Sequence, residues 1–201
     1  IYLVLVPILV VVGAAGMIYA IILGVNMNNI IIYGSIYGTT KMYAEGLARE
    51  TKISAIPFKN LDDINSYDTI IYLGALYAGG VLGLAKTFKK LRDIKDKKII
   101  IATVGLADPT EEINITNIRN NLKVQLSKEI LNNAKIFHLR GGIDYKKLGF
   151  AHKTMMSLLY KKTKHMKEEK MTPEDKAIIA TYNKKVYFVD LNKLNDIIKE
   201  I

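Results

Sequence analysis

Residues 30–48 constrain this chain more than any other stretch: Ile30-Ile31-Ile32-Tyr33-Gly34-Ser35-Ile36-Tyr37-Gly38-Thr39-Thr40-Lys41-Met42-Tyr43-Ala44-Glu45-Gly46-Leu47-Ala48. An apolar run ends in a short turn of glycine and hydroxyl residues, which opens directly into a segment with helical period. The first amides of a helix have no partner inside it, so with hydroxyls beside them they form an anion seat at the end of a strand. The turn lacks the Gly-Lys-Ser/Thr ending of an ATPase loop and has no G-x-G-x-x-G for a dinucleotide. What remains is a dense set of donors, Ser35, Thr39, Thr40 and the backbone of Ser35, Ile36, Tyr37, Gly38, Thr39 and Thr40. That set suits a terminal phosphate monoester.

Downstream, apolar runs alternate with helix-period segments. The pattern predicts strands at Ile30–Gly34, Ile53–Ile56, Thr69–Gly74, Lys98–Val104 and Ala134–Leu139. Between them it predicts helices at Lys41–Thr51, Val81–Arg92 and roughly Thr116–Leu131. The short continuous Ile/Tyr-rich runs fit strands buried on both faces. Strands separated by helices of this length imply right-handed crossovers and an α/β fold, a doubly wound five-stranded parallel sheet of order 2-1-3-4-5. Ligands of such sheets sit at the carboxyl ends of the strands, where the winding reverses. Three predicted strand ends lead into Gly-containing loops: Gly34–Thr40; Gly74, Ala75, Leu76, Tyr77, Ala78, Gly79 and Gly80; and Thr103, Val104, Gly105, Leu106, Ala107 and Asp108. Together they would make a phosphate seat flanked by two walls for a flat ring, which narrows the monoester to FMN.

The 201 residues suffice for one domain with a full core. The chain has no cysteine, so it has no disulfide, iron–sulfur or zinc–thiolate site. Its three histidines, His138, His152 and His165, lie far apart with no carboxylate cluster, and no metal centre is expected. Redox chemistry would have to come from a bound organic cofactor. The formal charge of +10 is uneven. No charged residue precedes Lys41, whereas the stretch from Lys146 to Lys170 holds eight lysines and only two acids, Glu168 and Glu169. Such a patch favours anionic partners. Apart from Tyr160 it lacks interleaved stacking aromatics, so nucleic acid is not expected.

Residues 1–25 carry no charge and one proline. As a helix they would extend about 37 Å, enough for a hydrocarbon core of about 30 Å. Gly16, Ala20 and Gly24 recur every fourth residue, a spacing that lets membrane helices approach, although small residues are common in spans anyway. A signal peptide fits less well, because the apolar stretch is long and no basic n-region is visible. Residues 1–26 are therefore expected to be a transmembrane anchor ahead of a domain at 27–201, on the cytoplasmic side of the cell membrane. If the native domain begins at Met27, the leader is an upstream or fused segment and the domain is cytoplasmic.

The loop Ser35-Ile36-Tyr37-Gly38-Thr39-Thr40 resembles the hydroxyl-x-x-Gly-x-Thr phosphate loop of the flavodoxins, in its place after the first strand. The resemblance runs from Met27 to about Leu139. It implies FMN as cofactor, with the second and third loops holding the isoalloxazine ring. Carried over, Tyr77 is the expected stacking residue and Tyr37 the alternative; the third loop, unlike that of common flavodoxins, has no aromatic. A narrower resemblance is to the menaquinone-dependent protoporphyrinogen oxidase branch of that superfamily. It rests on Tyr67-Asp68-Thr69-Ile70-Ile71, Phe88-Lys89-Lys90, Leu139-Arg140-Gly141-Gly142-Ile143-Asp144-Tyr145 and the Met155-Met156-Ser157-Leu158-Leu159 core of the following basic segment. Members of that branch insert a segment between the last strand and the last helix.

The insert is expected as an amphipathic helix over Lys146–Lys167, with Leu148, Ala151, Met155, Leu158, Leu159 and Met166 on one side and lysines opposite. It could lie on an anionic membrane, wall an apolar channel, or simply pack on the sheet. Three functions follow. The branch resemblance implies an FMN-dependent dehydrogenase of protoporphyrinogen IX passing electrons to a membrane quinone, with Arg140, Lys146 and Lys147 meeting the substrate's propionates. The alternative is a flavodoxin-type electron carrier with a redox partner protein and no small-molecule substrate. Flavodoxins are generally acidic, so a carrier of charge +10 would need an acidic partner. A flavin-free membrane module is the third, and the phosphate loop speaks against it.

Overall fold

Runs of isoleucine place three neighbouring strands in the middle of the molecule. The computed structural model describes residues 28–77 and 79–201. In it, β1 (Asn29–Gly34), β2 (Ala55–Pro57), β3 (Thr69–Tyr77), β5 (Lys98–Gly105) and β6 (Ala134–Arg140) form a parallel sheet of order β2-β1-β3-β5-β6. This is the expected order 2-1-3-4-5 once the short β4 (Gly80–Val81), which folds back antiparallel on β3, is set aside. The helices are α1 (Thr39–Thr51), α2 (Leu84–Phe88), α3 (Glu112–Gln125), α4 (Lys128–Asn133), α5 (Phe150–Lys164), α6 (Pro173–Thr181) and α7 (Leu194–Ile198).

Because side chains alternate across a strand, each Ile run feeds both faces. Ile30, Ile32, Ile70, Tyr72, Ile99 and Ile101 pack under Leu84 and Phe88 of α2 and Ile118 and Leu122 of α3. Ile31, Ile71, Leu73, Ile100, Ala102 and Val104 face the other way, onto Tyr43, Ala44 and Leu47 of α1 and Leu194 and Ile197 of α7. A fully buried isoleucine contributes about 1.5–3 kcal/mol, so these two layers hold most of the driving force.

Two predicted helices are shorter or broken. The helix expected over Val81–Arg92 is confined to Leu84–Phe88, because Val81 belongs to β4 and Gly83 has a left-handed φ of 80°. The helix expected over Thr116–Leu131 ends at Gln125, where Ser127 accepts a hydrogen bond from the Ile130 amide at 3.3 Å and starts a new one.

Beyond β6 the chain leaves the sheet and builds a small unit of its own. β7 (Gly142–Asp144) pairs antiparallel with β8 (Lys185–Tyr187), and α5 and α6 pack on this ribbon. Its core is Ile143, Tyr145, Leu148 and Met156, with Met155, Leu159, Ile178, Tyr182 and Val186 at the edge. The basic helix is Phe150–Lys164 rather than Lys146–Lys167; Met155 and Leu159 of the expected side pack on the core, and the most buried side is turned toward Met156. Met156 and Thr163 face inward, whereas Ala151 is exposed and Leu158 is 62% exposed. The cause is Tyr160, which lies flat on Tyr182 at 3.9 Å with 4° between the rings, while Tyr145 meets Tyr182 edge-on. That half-buried stack sets the tyrosine side of the helix toward α6 and leaves Leu158 outside. Among the described residues no helix is long and apolar enough to cross a membrane. The anchor and the start at Met27 lie outside the described residues.

Candidate site at the carboxyl rim of the sheet

The register aligns the strand ends. Gly34 is level with Gly74, Gly74 with Thr103, and Thr103 with His138. The winding reverses between β1 and β3, so the crevice there is where a ligand belongs. Gly34 is required by space: a Cβ would lie 2.2 Å from the Leu82 carbonyl oxygen.

From Gly34 the first loop climbs into α1. Gly38 has a φ of 92°, a conformation that favours glycine, and its amide donates to Ser35 Oγ at 3.2 Å. The amides of Thr39, Thr40 and Lys41, at the first turn of α1, meet no acceptor among the described residues. Thr40 is 1% exposed and its Oγ1 has no hydrogen-bond partner among the described residues. A buried hydroxyl left unpaired is costly, about 1–3 kcal/mol, and an anion seated on this turn would relieve it. Ile36, Thr39 and Ser35 are half-buried beside it, and Tyr37 is more open.

The second loop is tighter than its glycines suggest. Gly74, Ala75, Leu76 and Tyr77 are still in β3, and the chain returns at once as β4. A Cβ on Gly74 would sit 2.1 Å from Val81 Cγ1. Gly79, with a φ of 78°, supplies the turn; Ala78 lies outside the described residues. Gln125 of α3 closes β4, its Oε1 accepting from the Val81 amide at 2.7 Å. Leu76 reaches across to the third loop, where its Cδ1 would stand 2.5 Å from a Cβ on Gly105.

The third loop starts inside β5, which runs one residue past the expected end at Val104, to Gly105. Thr103 and Val104 belong to β5 and are buried. Thr103 Oγ1 is hydrogen-bonded to His138 Nδ1 at 2.8 Å, on the face that carries α3, so it is no rim donor. Burial, with the nearby Arg119 guanidinium adding to it, pushes the His138 imidazole down to about 4. Gly105 and Leu106 do reach the rim. Gly105 accepts a hydrogen bond from the Gly141 amide at 2.7 Å, and Leu106 packs against the added unit.

The three cations expected to meet a substrate stand on different elements, Arg140 at the end of β6 and Lys146 and Lys147 past β7. Arg140 Nη1 is 3.0 Å from Asp108 Oδ2, Nη2 donates to the Leu106 carbonyl at 3.3 Å, and the guanidinium lies 3.9 Å from the centre of the Phe188 ring. It is already engaged in holding the third loop. Hydrogen bonds from the Thr110 amide and hydroxyl hold the Asp108 carboxyl below its usual range, and Arg140 adds to that. Lys146 and Lys147 are exposed on a 3-10 turn after β7.

Two residues at the rim escape a reading of the loops alone. His152, on the first turn of α5, stands edge-on to Tyr37 at 5.5 Å and to Tyr77 at 5.8 Å. Met155 Sδ accepts a hydrogen bond from the Tyr77 hydroxyl at 3.7 Å. Burial raises the Tyr37 hydroxyl above its ordinary value, and Tyr77 beside it adds to the effect. The spacing of His152, Met155, Met156, Leu159 and Tyr160 was a signal for this, had the tyrosine been counted with the core. Gly141 was another: a Cβ there would lie 3.0 Å from both Thr39 Oγ1 and Val104 Cγ1. No cluster of three or more His, Asp or Glu that could hold a metal occurs among the described residues.

Comparison with known proteins follows the same lines. No curated protein sequence matches the chain. Among solved structures, a flavodoxin from Fusobacterium nucleatum bound to flavin mononucleotide is 14% identical, covers 61% of this chain and 74% of its own, with a TM-score of 0.39. Flavodoxin 1 from Bacillus cereus is 17% identical over 56% of this chain and 84% of its own, TM-score 0.34. A Lactobacillus acidophilus flavoprotein in complex with FMN is 14% identical over 57% and 92%, TM-score 0.38. The family model of the flavodoxin domain matches residues 30–170, from the first strand through the basic helix. With a sheet wound in the order β2-β1-β3-β5-β6, the chain belongs to the flavodoxin-domain family.

Proposed function

We propose that this flavodoxin-domain protein binds FMN at the rim of its sheet and works as an electron-transfer flavoprotein. The observation that carries the reading is the first turn of α1: three amides without acceptors and the buried, unpartnered hydroxyl of Thr40, beside Ser35 and Thr39. Ser35, Gly38, Thr39 and Thr40 would hold the phosphate. Ala75, Leu76, Tyr77, Gly79, Gly105 and Leu106 would flank the ring, with Leu76 over Gly105 keeping water from the crevice floor. Bound there, the flavin would supply the redox chemistry by accepting and releasing electrons. The chain's own work is to bind, orient and shield, and none of these tasks calls for a catalytic acid or base.

A redox partner protein is the natural electron donor or acceptor. With a formal charge of +10 here, that partner would dock through an acidic surface. The dehydrogenase reading, protoporphyrinogen IX to a membrane quinone, draws support from the unit inserted between β6 and α7, where the resembling branch has its extra segment. It draws none from Arg140, whose charge is taken by Asp108.

Titrating the chain with FMN tests the first step. Flavin fluorescence should be quenched at micromolar concentration, and a chain that leaves it unchanged sinks both redox readings. Thr40→Ala should weaken FMN by about 10-fold, the size of one charge-assisted hydrogen bond, while riboflavin, without a phosphate, is unaffected. Equal affinity of the variant and wild type for FMN would move the phosphate elsewhere. Oxidation of protoporphyrinogen IX with a quinone acceptor would favour the dehydrogenase reading. Exchange with a reductase alone would favour the carrier.

A further inference from the structure

The third loop of this chain offers no aromatic to a bound ring, and α5 stands where one is missing. Resting on the FMN reading, we propose that α5 is a fourth wall of the ring's slot and that His152 is the positioning residue that holds Tyr37 and Tyr77 against the ring. One helix touches two of the rim loops and shares a hydrophobic cluster with the third. His152 meets Tyr37 of the first and Tyr77 of the second, each within 6 Å and nearly perpendicular. Met155, one turn on, takes the Tyr77 hydroxyl. Leu106 of the third loop packs into the same cluster as Met155.

The packing of α5 on its own unit does not require these contacts. That packing is carried by Met156, Leu159, Tyr160 and Thr163, set against Tyr182, Ile178 and Val186. His152 and Met155 lie on the edge of that face and reach past it toward the sheet. Edge-to-face aromatic pairs favour a fixed mutual geometry, and each is worth a factor of about 2 to 10 in an equilibrium constant. An imidazole set between two tyrosines therefore restricts both rings at once, before any ligand arrives. Restricting the clamp in advance lowers the cost of ordering it on binding. Such a wall recognises the ring and is indifferent to the phosphate, whereas the first turn of α1 does the opposite.

The experiment is a paired titration of the full chain with FMN and with riboflavin, read by quenching of flavin fluorescence. His152→Ala and His152→Leu should each weaken both flavins by the same factor, about 5-fold, and leave the far-ultraviolet circular dichroism unchanged. His152→Phe, which keeps a ring edge, should recover most of the affinity. The proposal is overturned if His152→Leu binds both flavins as the wild type does, if only FMN is weakened, or if His152→Phe is as poor as His152→Leu. It is also overturned if the wild type takes FMN but no riboflavin, since the ring would then contribute nothing. A wild type that binds neither flavin removes the FMN reading itself.

Discussion

The parallel sheet and the unit that follows it are built on opposite terms. The sheet buries uninterrupted isoleucine runs on both faces, and its register brings Gly34, Gly74 and Thr103 to one level. Among the described residues the added unit's cluster has four buried hydrophobic side chains, and a tyrosine stack joins its two helices. Geometry in the first region is set by backbone pairing, in the second by a few aromatic contacts. The rim of the sheet therefore behaves as a rigid base, and the wall above it is the part that a single substitution can turn.

The strongest way to break this contrast is at the base. Gly34→Ala puts a Cβ against the backbone carbonyl of Leu82, which cannot swing aside, and should cost about 3 kcal/mol or more. Urea unfolding measures it; a loss below about 1 kcal/mol would mean that the rim yields more easily than the packing implies. Tyr160→Ala should cost less, about 2 kcal/mol, and the damage should stay local. Hydrogen exchange would show faster amides in α5 and α6 with β1, β3 and β5 still protected. Uniform acceleration across the sheet would join the two regions into one cooperative unit.

A smaller effect comes from His138. Its folded value of about 4 lies below the ordinary histidine value of 6.5, so the unfolded chain takes up the proton first. The neutral imidazole's contribution is intact above pH 6.5 and is lost as pH falls toward 4. By pH 5 the loss amounts to about 1–2 kcal/mol. His138→Gln should flatten the fall in stability between pH 7 and pH 5 by that amount, measured by urea unfolding at both values. An unchanged slope would place the acid sensitivity elsewhere.

The same contrast explains what could be read in advance. Continuous Ile runs announce doubly buried parallel strands, and the glycines at their ends announce the rim, so the sheet order and the turn into α1 were legible. The hydrogen bond of Thr103 to His138 was not, because alternation says that neighbours point apart without saying which face each residue takes. The Arg140–Asp108 pair was not legible, because the two residues stand 32 apart in the chain and meet only once β5 and β6 are side by side. The helix at Phe150–Lys164 was located, but its buried side was assigned by leucines and methionines. The Tyr160–Tyr182 stack shares that side with Met155, Met156 and Leu159, and His152 meets the rim tyrosines beside it.

One hydroxyl says how the two regions are joined. Tyr43 of α1 donates to the carbonyl of Arg140 at 2.8 Å and accepts from the amide of Asp190 at 2.9 Å. The chain thus departs and comes home at a single atom, and everything from Gly141 to Val189 is a detour between two points a few ångströms apart. That detour lies outside the five-stranded sheet path and outside the turn that opens α1. The α1 tyrosine is the stitch that fastens both ends of the added unit to the helix beside the sheet.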